Sequence, residues 1–186
     1  MLYGVIRERN VTESIASLAP IMQLAFVPKD LDAAVSYWTK VAGAGPFFRL
    51  PHIAYKEARY RGAPSHVDFS VLIGYWGDMQ IELIEQHCAS PSIYKAWLDE
   101  GREGLHHVCI LVDDIGHARA VCEKAGARVE QEIVLEGGEA FYADTGGGPG
   151  TMVEVLQPMP GFAEVCAMMR DAAKGWDGQN PVRSLG

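Results

Sequence analysis

Apolar and polar positions along this chain follow two periods, and the pattern runs through the same order twice. Ile21-Met22-Gln23-Leu24-Ala25-Phe26-Val27 reads as a strand. Ala34, Val35, Trp38 and Val41 then recur at helical spacing behind Asp30 or Asp32, either of which can cap a helix, and Gly43 to Pro46 stops it. Strand-like runs follow near 47–50, 54–61 and 66–75, and a turn at Gly77-Asp78 leads into the strand 79–86. The second pass begins at Gly104-Leu105-His106-His107, runs through the apolar stretch 108–112, and closes on Asp113-Asp114, suited to cap the next helix. That helix spans 115–124 with Ala118, Val121 and Cys122 on its apolar face, and strands are expected over 128–135, 139–144 and 151–156.

The phase of the repeat can be read off the numbering. Gln23 and His107 stand 84 residues apart, as do Asp30 and Asp114, while Gly43 and Gly126 stand 83 apart. Each half therefore reads strand–helix–strand–strand–strand, an internal duplication that governs how every motif is weighed. The expected division is an N-terminal arm over 1–19, a first βαβββ module over 20–88, a linker helix within 89–103, a second module over 104–158, and a helical tail over 159–186. Residues 176–186 read as a loosely attached end. The expected fold class is α+β, with the two tandem modules curling a mixed sheet around a cleft.

Composition narrows the function. The formal net charge of −8 argues against a nucleic-acid surface, which needs a basic stripe. No apolar run approaches the roughly 18 residues of a membrane span. Arg7, Glu8 and Arg9 stand where a signal peptide needs its apolar region, so a cytoplasmic protein is expected. Cys88, Cys109, Cys122 and Cys166 lack CxxC spacing and read as reduced thiols. The glycine-rich turn 146–150 lacks the following helix and Lys-Ser/Thr pair of a phosphate loop.

Four metal-competent groups fall at equivalent positions of the repeat. The first strand of each half carries Gln23 or His107, and the last strand carries Glu82 or Glu154, each glutamate flanked by aliphatics. A lone histidine entering a strand is more often held by core hydrogen bonds than by a metal. Two carboxylates turned inward, however, cost several kcal/mol unless a cation or a proton relieves them. Together the one nitrogen and three oxygens suit Zn²⁺, Ni²⁺, Co²⁺, Mn²⁺ or Fe²⁺. His52, Tyr55, Lys56, Arg59 and Arg61, together with His66, Tyr75, Trp76, Phe141 and Tyr142, fall on strand-like runs that could also line the cleft, while His106 and His117 read as structural or surface residues.

These residues carry a resemblance. Gln23-Leu-Ala-Phe-Val-Pro-Lys-Asp30, Gly43-Ala-Gly-Pro46, Ile81-Glu-Leu-Ile84, Gly104-Leu-His-His107 and Val153-Glu-Val155 resemble the vicinal oxygen chelate (glyoxalase/bleomycin resistance/dioxygenase) superfamily over roughly residues 20–158. The branch most similar is that of glyoxalase I and methylmalonyl-CoA epimerase. The resemblance implies a homodimer of paired βαβββ modules with one divalent metal per chain, held by Gln23, Glu82, His107 and Glu154. It also implies a lyase or isomerase (epimerase) acting on a small molecule with vicinal oxygens. Glu154 or Glu82 would abstract a proton α to a carbonyl, with the enolate or enediolate stabilised by the metal. The glutathione-gripping arginine and asparagine of glyoxalase I would fall on Val27 and Gln86. The alternatives are a small-molecule sequestration protein without turnover, or a ring-cleaving dioxygenase, which would need a second histidine in the set.

Overall fold

Duplication in the sequence becomes near two-fold symmetry in the sheet. In the computed structural model, which describes residues 13–185, a short helix α1 (Ile15–Leu18) precedes strand β1 (Ile21–Val27), and helix α2 (Leu31–Ser36) continues into a π-helical turn, Tyr37–Val41. Strands β2 (Phe47–Leu50), β3 (Glu57–Tyr60), β4 (Ala63–Pro64), β5 (Phe69–Trp76) and β6 (Met79–Gln86) follow, then helix α3 (Ile93–Asp99). The second pass comprises β7 (Gly104–Leu111), α4 (Ile115–Lys124), β8 (Arg128–Val134), β9 (Glu139–Asp144) and β10 (Met152–Gln157). Helix α5 (Phe162–Ala173) and strand β11 (Val182–Ser184) end the chain.

Among the described residues, eleven strands join one curled, unclosed mixed sheet in the order β11-β2-β5-β6-β1-β7-β10-β9-β8-β3-β4. Outward from the centre, β1-β6-β5-β2 on one side is matched by β7-β10-β9-β8 on the other. β1 runs parallel to β6 and β7 parallel to β10, while β1 and β7 meet antiparallel. The capping aspartates occupy equivalent places: Asp30 accepts from the Ala33 amide and Asp114 from the His117 amide, each at 2.9 Å.

Strand alternation sorts the core into two faces. On the convex face, α2 covers Ile81 and Leu83, and α4 covers Phe141, Val153 and Val155. On the concave face lie α3 and α5 with the largest apolar cluster, which includes Phe69, Ile73, Tyr94, Tyr142 and Met169.

Three expectations change. The run 54–61 yields β3, which pairs with β8 of the other half rather than with its own, anchored by a 2.6 Å ion pair from Arg61 to Glu130. The linker helix is a core element, with Ile93, Tyr94 and Trp97 buried. The C-terminal end is held: β11 pairs in parallel with β2, and the Trp176 ring lies so close to Gly45 that a Cβ there would meet it at 2.8 Å. Of the expected N-terminal arm, residues 1–12 lie outside the described residues; α1 packs against α4. Among the described residues no helix is long and apolar enough to cross a membrane.

Candidate metal centre

Register brings the candidate ligands together. Glu82 lies beside Ala25 across the β1–β6 pair, and Glu154 lies beside Cys109 across the β7–β10 pair. His107 faces Ala25, and Gln23 faces Cys109, across the central β1–β7 pair. Small residues, Ala25 and Cys109, thus sit between the polar ones. The outcome is a cluster in which His107 Nε2 stands 3.2 Å from Glu154 Oε2 and 3.7 Å from Glu82 Oε2. One donor atom from each of the three residues lies within 4.8 Å of the others.

Gln23 lines the same cavity as Glu82 and Glu154. Its Nε2 donates to Gln80 Oε1 at 2.6 Å, and Gln80 in turn donates to the Tyr75 hydroxyl at 2.8 Å. With the amide nitrogen engaged, the Gln23 oxygen is the atom it can offer a cation.

The electrostatics favour a cation. His107 is fully buried, and Glu154 is 8% exposed. Among the described residues His107 is the sole basic side chain in ion-pair reach of either glutamate. Burial, and then the neighbouring Glu154 charge, push the Glu82 carboxyl well above the ordinary carboxylate range. An imidazole nitrogen and two such carboxylates, desolvated and crowded, form a donor set that fits a divalent transition metal.

Around this set lies an ordered polar shell. The Tyr142 hydroxyl donates to Glu154 Oε1 at 3.1 Å, and the Tyr94 hydroxyl donates to Tyr142 at 3.2 Å. Burial pushes both phenols up, so each remains a protonated donor. Met22 and His106 are the unpaired extra residues of two β-bulges, one on each central strand and each directly before a candidate ligand. The second bulge lets His106 lean to the side of His107, with their Nδ1 atoms 2.9 Å apart. Burial, and secondarily His107, lower His106 to a pKa of about 3, so it is a neutral imidazole.

A family model described as the glyoxalase/bleomycin resistance protein/dioxygenase superfamily matches residues 22–143. The chain belongs to that superfamily. Members of the glyoxalase/bleomycin resistance/dioxygenase superfamily commonly bind a divalent metal, and Glu82, His107 and Glu154 form a group that could hold one. The fold is similar to that of a hypothetical protein from Bacillus halodurans C-125, at 12% identity and a TM-score of 0.51 over 75% of this chain and 94% of that one. It is also similar to methylmalonyl-CoA epimerase from Mycobacterium tuberculosis, at 16% identity and a TM-score of 0.50 over 79% of this chain and 93% of that one. Both likenesses are of fold. No curated protein matches the chain by sequence.

Several residues read from sequence as possible cleft groups lie elsewhere. Arg59 pairs with Glu57, Lys56 with Glu136 and His52 with Asp68, all exposed, and Trp76 is exposed on the outside. Phe141 is buried on the convex face beneath the Arg119 guanidinium. His117 is a surface residue paired with Glu13. Tyr142 does reach the centre. The sequence signal that could have singled it out, with Gln80, is parity: Gln80 shares the face of Glu82 two residues on, and Tyr142 lies directly across from Glu154.

Proposed function

We propose that this protein is a metal-dependent lyase or isomerase of the vicinal oxygen chelate type, removing a proton α to a carbonyl. The observation that carries the reading is the convergence of Glu82, His107 and Glu154, with both glutamates lining an apolar cavity. In this reading Gln23, Glu82, His107 and Glu154 hold one divalent ion per chain, of the Zn, Ni, Co, Mn or Fe group. Such an ion would supply Lewis acidity toward negative charge on two neighbouring substrate oxygens. Glu154 or Glu82 takes the α-proton, leaving an enolate, and a carboxylate returns a proton to the same carbon or its neighbour. Tyr142 fixes Glu154 through one oxygen, at 3.1 Å, and leaves the other turned to His107. The aliphatic walls of the cavity give the enolate a largely apolar surround. A cytoplasmic homodimer belongs to the same proposal, and light scattering on the purified protein checks its size.

Metal content by mass spectrometry tests the reading. The native protein should carry about one divalent ion per chain, and Glu154→Ala and His107→Ala should carry none. Substrates should then take up solvent deuterium at the α-carbon only when metal is present. Product formation with no such exchange would sink the proton-abstraction chemistry. The second reading is stoichiometric sequestration of a small molecule, favoured by the apolar lining of the cavity. It predicts tight binding with no turnover.

A further inference from the structure

Two cavities flank the centre, and their linings differ in kind. The one that opens on Glu82, Glu154 and Gln23 has a volume of about 560 Å³, within the range of small-molecule sites. Its walls are aliphatic, from Val71 and Ile73 on β5 and from Ile133 and Leu135 around β8, and its roof is the apolar side of α5, led by Phe162 and Met169. Among the described residues no lysine or arginine lines it; its charged lining is Glu82, Glu154 and Glu136 alone. Glu136 is already paired with Lys56, so an anionic group placed against these walls, away from the proposed metal, would meet hydrocarbon and would lose its hydration with no partner to replace it.

The neighbouring cavity, of about 410 Å³, is lined by Arg61, Arg102 and Arg128, and each of these is already paired with a carboxylate. Arg61 and Arg128 share Glu130, Arg128 also meets Asp144, and Arg102 pairs with Glu100. Beyond the proposed metal, the walls of the apolar chamber therefore present no lysine or arginine to the phosphates of a coenzyme A thioester or the carboxylates of a glutathione adduct.

Resting on the proposed metal centre, we infer that the substrate is an uncharged, largely hydrocarbon or aromatic molecule carrying two adjacent oxygens, an α-hydroxyketone in class, enclosed between the two half-sheets and α5. The oxygen pair meets the polar floor, the body fills the aliphatic chamber, and the carbinol C–H is the proton that a floor glutamate takes.

Titration calorimetry on the full chain loaded with Zn²⁺ tests this with three probes: benzoin, deoxybenzoin (which lacks the hydroxyl) and benzoin bearing a carboxylate on one ring. Benzoin should bind at least about tenfold more tightly than the carboxylated probe, because the chamber walls away from the metal hold no cation for the charge on the ring, and more tightly than deoxybenzoin, which lacks the second oxygen. Phe162→Ser, in the roof, should weaken benzoin binding while leaving zinc content unchanged. Equal or tighter binding of the carboxylated probe overturns the inference. If the chain takes up no zinc, the metal reading fails by itself, and the same titration on the metal-free chain still decides between an apolar and an anionic ligand.

Discussion

His106 and His107 are adjacent in sequence, yet they have separate tasks. Their Nδ1 atoms stand 2.9 Å apart, so one proton lies between them and one nitrogen must accept it. The Ile93 backbone favours a proton on the neighbouring His106 ring. With that single proton on Nε2, His106 Nδ1 accepts, and His107 donates from Nδ1 and turns a bare Nε2 toward Glu82 and Glu154. This is the tautomer that a metal ligand needs. Replacing His106 with Phe should lower zinc affinity about 10–100-fold, the effect typical of losing such a support. Equilibrium dialysis measures it, and an unchanged affinity would remove His106 from that task. Sequence could pick out His107 because its alignment with Gln23 depends only on the phase of the repeat. It could not pick out His106, because strict alternation turns the residue before a ligand to the opposite face, and only a bulge, a local backbone event without a sequence signature here, brings it round.

Among the elements, α3 links the polar shell to the chain. Ser92 is buried at its N-terminus, where its hydroxyl accepts from the Lys95 amide at 2.9 Å and donates to Gln86. Ser92→Ala should cost about 1 kcal/mol, seen as a melting temperature a few degrees lower. No change in melting would mean that the cap is dispensable. The pairing of β3 with β8 has its own signature in pH. Burial alone would raise the Glu130 carboxyl, but hydrogen bonds from Arg61 and Arg128 outweigh it and hold the group below its ordinary value of 4.5. A depressed folded-state pKa gives stability that is present above the unfolded value and lost as pH falls through the folded one. The melting difference between the native protein and Glu130→Gln should therefore be largest near neutrality and shrink in acid below 4.5. A difference independent of pH would show that the two arginines do not depend on this charge. The strand itself was legible from 54–61, but its partner was not. Strand pairing across halves depends on where the connection 51–56 leads, and no periodicity encodes that.

At the scale of the whole molecule, the C-terminal segment closes both a sheet edge and a cavity. Phe47 donates its amide to the Pro181 carbonyl at 2.8 Å, β11 covers β2, and Leu185 reaches the lining of the apolar chamber. Ending the chain after Gly175 should uncover β2 as a free edge. Melting temperature should fall by several degrees, and light scattering should report association; a truncated chain that melts as before and stays monodisperse would show the segment to be ornamental. The duplicated core was legible because its periodicity repeats with fixed spacing. This tail was not, because Pro181-Val182-Arg183-Ser184 is too short and too polar to declare itself a strand.

The near two-fold relation between the halves is broken where it matters. Equivalent bulges present Met22-Gln23 from one strand and His106-His107 from the other, so the left and right walls of the centre are chemically unlike. A ligand with two different oxygens cannot be turned end for end without exchanging an amide neighbour for an imidazole one. The centre is thereby handed. Of two mirror-image ligands, one can match each oxygen to its preferred neighbour while directing its hydrogen at the right carboxylate, and the other must give up one of these.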